Sequence, residues 1–261
     1  FPDCALSCLN EVKSVIESQA AEIAALVIEP LVLGAGGMIV YPKDYLQELV
    51  TFCRQHDILV IFDEVFTGFG RTGTFFAMDQ VSEKPDIICL SKGLTSGMLP
   101  LAVTAVSSRV FEAFLGKEEH TFYHGHTYTG NALGCAVAVE SLKIFDDEQV
   151  LERNQKLIGW MSKESERFAS LPHVGDTRHL GMIWALELVT DKNNKTVPQP
   201  HNGPGWKIAS VLWEQGIWIR PLGNILYLIP PYCSTESDLR HFFSVLYTEL
   251  ENERHFKPDC Q

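Results

Sequence analysis

Two short strings in this 261-residue chain put ionisable side chains directly after runs of β-forming residues. Asp63-Glu64 follows Ile58-Leu59-Val60-Ile61-Phe62, and Ser91-Lys92-Gly93 follows Ile87-Ile88-Cys89-Leu90. A carboxylate at such a strand end is half buried and needs a cationic partner, because an unpaired buried charge is expensive. The plainer alternative for Asp63 is a helix cap or an ordinary ion pair. A desolvated lysine loses its proton readily, which is what a Schiff-base nucleophile requires. An isolated Lys-Gly is otherwise a surface loop. The pair is more telling than either member, since ligands in open α/β sheets sit beyond the carboxyl ends of the strands.

Other residues could hold a ligand. His120, His124 and His126 resemble a metal string, but Gly125 and the flanking Tyr123 and Tyr128 suit a loop better than a rigid ligand face, and no metal is expected. That loop enters a helix at Thr129-Gly130-Asn131. A helix start of this kind offers free N–H groups and the positive end of the macrodipole to a phosphate, with Thr127 adding a hydroxyl. Arg220, which closes Ile217-Trp218-Ile219-Arg220, is a natural fork for a carboxylate or one half of a surface salt bridge. Residues 66–73, with Arg71 between Gly70 and Gly73, read as a loop after Asp63.

The elements that must position these residues follow from periodicity. Helical spacing runs over 6–20, 43–56 and 130–145, with a more polar helix over about 150–169. Short apolar runs at 24–28, 58–62, 87–90 and 101–106 read as buried strands, and Gly34-Ala35-Gly36-Gly37 as a loop. Buried strands separated by helices indicate an α/β class with a mainly parallel central sheet. From about 150 the pattern changes to strands at 183–189, 217–220 and 225–229, a polar loop at 191–203, and helices at 205–215 and 236–249. This reads as a smaller α+β domain, which divides the chain into 1–149 and 150–261.

Composition excludes several roles. Lys plus Arg number 21 against 33 Asp plus Glu, a net charge of −12, and no basic run offers itself to nucleic acid or a polybasic membrane anchor. The longest apolar stretch, 23–33, is interrupted by Glu29-Pro30 and is too short to span a bilayer. The 7 cysteines, scattered and odd in number, suit a reducing compartment, cytoplasmic or mitochondrial. Phe1-Pro2-Asp3 leads straight into a helical pattern, as in a piece of something longer.

Taken together, Phe62-Asp63-Glu64-Val65, then Thr67-Gly68-Phe69-Gly70-Arg71-Thr72-Gly73, Pro85-Asp86-Ile87 and Ser91-Lys92-Gly93 resemble the class III, fold-type I aminotransferases that use pyridoxal 5'-phosphate. Three further strings resemble the biotin-synthesis branch of that family: Gly34-Ala35-Gly36-Gly37-Met38, His124-Gly125-His126-Thr127-Tyr128-Thr129-Gly130-Asn131, and 216–221 continuing to 225–232. The resemblance covers about 22–250. It implies that Lys92 links covalently to the cofactor and then serves as general base, that Asp63 pairs with the pyridinium nitrogen, and that Thr127 binds the phosphate, with Gly125 close by. It also implies that Arg220 holds the keto-acid carboxylate with Tyr227 near it, and that Arg71 belongs to the surroundings. The substrates implied are 8-amino-7-oxononanoate and, as amino donor, S-adenosylmethionine, in a homodimer whose interface Thr127 would bridge. The alternative is a class III enzyme of the ω-amine, ornithine or aminobutyrate type, and a fold relative without catalysis is a third. The family's N-terminal phosphate loop and ring-stacking aromatic do not occur here, so 1–149 would be the later part of a large domain, and the piece alone is expected to be inactive or poorly folded.

Overall fold

The computed structural model describes residues 4–198 and 203–256; the expectations that fall on Pro2-Asp3, on Cys260 and on part of the 191–203 loop lie outside them. The chain divides into two compact units, residues up to 33 with 41–150, and residues 34–40 with those from 151 on. In chain order to residue 150 run α1 (Ser7–Gln19), β1 (Ala25–Ile28), β2 (Val32–Leu33), β3 (Ile39–Val40), α2 (Lys43–Gln55), β4 (Leu59–Asp63), β5 (Ile87–Leu90), β6 (Val103–Val106), α3 (Ser108–Glu112) and α4 (Ala132–Asp147). Then come α5 (Val150–Glu166), β7 (Val174–Leu180), β8 (Ile183–Leu188), α6 (Pro204–Glu214), β9 (Ile225–Leu228) and α7 (Glu236–Glu251).

In the first unit a sheet of order β1-β4-β5-β6 runs parallel across β1, β4 and β5, and β6 joins it antiparallel. The stripe Leu46, Leu49, Val50 and Cys53 of α2 is buried, as are Val60 and Phe62 of β4, on which α2 packs. The other face of β4 carries Leu59, Ile61 and Asp63, which are only half buried. Register places Val27, Ile61, Ile87 and Val106 side by side on that face, and Val27 is 64% exposed. The apolar run 58–62 is thus covered fully on one side only. The strand expected at 101–106 is shorter and, as an edge strand paired only with β5, is exposed along its whole length rather than buried.

The second unit is built on an antiparallel sheet of order β7-β8-β9. Nothing in the sequence pattern announces β7, Val-Gly-Asp-Thr-Arg-His-Leu, because only its ends are apolar; the apolar partner β8 recruits it through a turn at Gly181, whose φ of +59° suits glycine. Trp184, Phe168 and Phe243 meet edge to face in the core, and the Trp184 indole N–H donates to Ser165 Oγ at 2.7 Å. Arg178 of β7 donates to Asp176 and to the Gly37 carbonyl, both at 2.8 Å, and to Glu187, which ties the 34–40 segment to this sheet. Helix α7 starts on a capping box of Thr235 and Asp238. The strand expected at 217–220 does not form. That segment lies between Gly216 at φ +77° and Pro221, and the Trp213 indole, not a neighbouring strand, takes the Ile219 carbonyl at 2.9 Å. Among the described residues no helix is long and apolar enough to cross a membrane.

Two consequences for stability follow. Phe243→Ala removes a fully buried ring and should cost about 3–5 kcal/mol, read by urea unfolding. At the end of α7, buried Glu249 accepts from His255 Nε2 at 2.7 Å and from Arg254. Burial pushes the Glu249 carboxyl up, but the hydrogen bonds and charges of His255 and Arg254 outweigh it and hold the group below its ordinary 4.5. A depressed native value means the contribution is complete above pH 4.5 and is lost as pH falls through the native value. Glu249→Gln should flatten this acid-side loss and lower neutral-pH stability by about 1–2 kcal/mol, measured as unfolding free energy against pH.

Candidate functional site

Asp63 is the last residue of β4 and is paired in register with Cys89 of β5. Lys92 comes three residues after Cys89, so the acid and the lysine stand at adjacent carboxyl ends of parallel strands, as the sequence suggests. Asp63 lies on the same half-covered face as Ile61 and Val27. Its Oδ1 accepts the Val65 N–H at 3.0 Å, and among the described residues the carboxylate has no cationic partner. Lys92 likewise has no carboxylate partner among the described residues; its Nζ lies 5.6 Å from the centre of the Phe66 ring.

The turn between β4 and β5 is built on Glu64, which is fully buried. Its Oε1 accepts the Met78 N–H at 2.8 Å, and its Oε2 accepts the Ala77 N–H at 2.8 Å and the Thr67 hydroxyl at 3.1 Å. Its backbone joins the same frame, with its N–H on the Cys89 carbonyl and its carbonyl taking the Gly68 N–H, both at 3.0 Å. Burial pushes the Glu64 carboxyl above its ordinary value, and the N–H groups of Met78 and Ala77 and the Thr67 hydroxyl hold it back. The sequence names Glu64 only as the neighbour of Asp63. Its anchoring role depends on partners 13 and 14 residues away, which spacing does not reveal.

This anchored turn presses on the lysine. Phe69, at φ +56°, sits where a Cβ on Gly93 would come within 2.9 Å of its own Cβ, so Gly93 is required by packing. Lys92 itself has φ +39°, a left-handed conformation that costs a non-glycine residue about 1–3 kcal/mol and persists only where the surroundings impose it. They do so through Ser91 Oγ on the Leu101 carbonyl at 2.7 Å, Thr95 Oγ1 on the Leu99 carbonyl at 2.6 Å, and Ser96 Oγ with Ser141 Oγ at 2.7 Å. Arg71 is half buried within the same turn.

The loop before α4 departs from expectation. Asn131 caps the helix with its own Oδ1, accepting Leu133 N–H at 3.0 Å and Gly134 N–H at 3.2 Å. Those donors are therefore satisfied internally, and a phosphate would depend on Thr127 and the loop backbone rather than on a vacant helix end. Thr127 and Gly125 are exposed, and a Cβ on Gly125 would make only ordinary contact, 3.6 Å from Thr129 Oγ1. Among the described residues no group of three or more His, Cys, Asp or Glu is gathered closely enough to hold a metal ion. The string instead makes local contacts, such as His126 Nδ1 accepting the Tyr128 N–H at 3.1 Å.

Arg220 and Tyr227 belong to the second unit, where they line one cleft of about 620 Å³ with Trp218, Pro230 and His241. Arg220 is exposed and has no carboxylate partner among the described residues. Trp218, 79% exposed, stacks on Trp213 with ring centres 5.0 Å apart. A guanidinium left unpaired beside apolar walls can accept an incoming carboxylate.

Gly93→Ala forces Phe69 or the Lys92 backbone to move, and should lower stability by about 1–3 kcal/mol, read by thermal unfolding.

Residues 3–250 match the model of the aminotransferase class-III family. The chain is 44% identical over 238 residues to the adenosylmethionine-8-amino-7-oxononanoate aminotransferase of Geobacter sulfurreducens, covering 90% of this chain and 52% of that protein. It is 42% identical over 255 residues to the enzyme of that name from Methanocaldococcus jannaschii, covering 95% and 55% respectively. The crystal structure of the M. jannaschii protein superposes with a TM-score of 0.90, over 94% of this chain and 57% of that one. An omega transaminase from Pseudomonas jessenii in complex with PMP gives 0.86 at 34% identity, over 94% and 54%. The chain thus spans about half the length of the curated relatives it matches. It belongs to the class-III aminotransferase family.

Proposed function

We propose that this chain carries the lysine-bearing part of a pyridoxal-phosphate-dependent aminotransferase that converts 8-amino-7-oxononanoate to 7,8-diaminononanoate, with S-adenosylmethionine as amino donor. The observation that carries the reading is the pairing of Asp63 and Lys92 at adjacent strand ends, each without a protein counter-charge among the described residues. The names of the relatives at 42–44% identity supply the substrates.

The residues present fit the cofactor. Asp63 has one oxygen on the Val65 N–H and the other open to a protonated ring nitrogen. When bound, the cofactor supplies an electron sink for the charge that develops at the substrate carbon. Lys92 would hold it covalently and, once displaced, would take and return a proton at Nζ. Thr127 offers its hydroxyl to the phosphate, with Gly125 leaving room beside it. Arg220 orients the substrate carboxylate and Tyr227 flanks it. In this reading 1–149 is the later part of the large cofactor-binding domain and 150–261 the small one.

A homodimer is part of the proposal. Phe111, Phe122, Tyr123, Tyr128 and Leu133, between 55% and 80% exposed, support this reading as apolar surface that a partner could cover. The six described cysteines are free thiols, which suits a cytoplasmic setting.

The test is the visible spectrum, with pyridoxal phosphate, of the full-length protein that carries this chain. A yellow band that bleaches with S-adenosylmethionine and returns with 8-amino-7-oxononanoate is expected. Lys92→Ala should abolish the band and reduce turnover by about 10²–10⁴-fold. A band indifferent to S-adenosylmethionine but discharged by an ω-amine would move the reading to another class III donor, and a colourless protein would overturn it.

A further inference from the structure

We infer that Phe66 is a positioning residue for the Lys92 amine, its ring face holding the ammonium where a carboxylate would otherwise stand. This deepens, and rests on, the reading of Lys92 as the lysine that links to the cofactor.

Lys92 Nζ is 5.6 Å from the Phe66 ring centre, within the range of a cation–π contact. The contact joins two fixed backbones. Lys92 is held left-handed between Ser91, tied to Leu101, and Thr95, tied to Leu99. Phe66 lies between Glu64 and Gly68, whose N–H donates to the Glu64 carbonyl, and Glu64 is pinned to Ala77 and Met78. Phe66 is also not simply part of the turn's packing. Phe69, Phe75 and Phe76 meet edge to face with centres 4.8–5.6 Å apart, and Phe66 stands outside that cluster, half buried.

The chemistry gives this arrangement a use. A carboxylate beside Lys92 would hold it as an ammonium by a strong ion pair. An aromatic face draws the exposed Lys92 side chain to one side of the turn through a far weaker attraction, so the nitrogen is aimed without being locked in an ion pair. Without a π face at Phe66 the amine is no longer drawn against the ring, so Lys92 should meet an external electrophile more readily.

The test uses the full-length protein that carries this chain, stripped of cofactor. Trace acetylation by acetic anhydride, read lysine by lysine by mass spectrometry, should be about two- to fivefold faster at Lys92 in Phe66→Leu and Phe66→Met than in the wild type. Phe66→Tyr, which keeps the ring face, should match the wild type, and the other lysines should not change. If the Leu variant does not fold, Met and Tyr carry the comparison. Equal rates at Lys92 in all proteins would overturn the inference, and so would a faster rate shared by every lysine, which means general loosening. Failure of the functional reading shows elsewhere: borohydride reduction of the wild type with pyridoxal phosphate would then leave Lys92 unlabelled, whatever the acetylation rates.

Discussion

A carboxylate closed off from water, that of Glu64, holds together the surroundings of Asp63 and Lys92. An ionisable group in such a place is tolerable only because its acceptor positions are filled, by Ala77, Met78 and Thr67. The dependence runs both ways. Without Glu64 the two amide N–H groups lose their acceptors, and the turn loses the frame that seats Phe69 against Gly93. Without Phe69, nothing in that turn presses on the residue after Lys92, and the left-handed lysine loses part of what imposes its conformation. One buried acid thus reaches a lysine that it does not touch.

The sheet that bears Asp63 is asymmetric. Val60 and Phe62 are sealed under α2, whereas Ile61 and Asp63 look out on the side where Val27 is largely bare. Apolar surface left in water on this scale forfeits about 25 cal/mol per Å². That uncovered surface lies on the face that carries the acid, and not on the face sealed by α2. The carboxylate of Asp63 thus lies on the face of the sheet that the described residues leave half covered.

Much of this could be read from the sequence, for a physical reason. The runs before Asp63 and Lys92 are continuous and apolar, so strand identity and strand end were both visible, and parallel pairing placed the two ends together. Helix α2 was equally plain from its stripe. What failed to show was anything decided by distant partners. Strand β7 has a polar sequence and exists because β8 pairs with it, whereas 217–220 looks like a strand and has no ladder to join. The Asn131 cap was hidden in a string that looked like a vacant helix end. Glu64 and Phe66 were silent because neither the anchor nor the ring contact has a local signature.

Unpaired cations in this chain are not explained by scarcity of acid. With 33 carboxylates against 21 Lys and Arg, most positions could find a partner, and Arg178, Arg240 and Arg254 do. Arg178 takes two acids in a single strand pair. Against that background, Lys92 faces an aromatic ring and Arg220 an aromatic and proline-lined cleft, neither with an acid beside it among the described residues. A surface salt bridge would have contributed little at either place, about 0–1 kcal/mol. An acid there would, however, compete with whatever anion or carbonyl approaches. The two side chains are thus left available to an incoming group, and an ion pair at either place would have added little to stability.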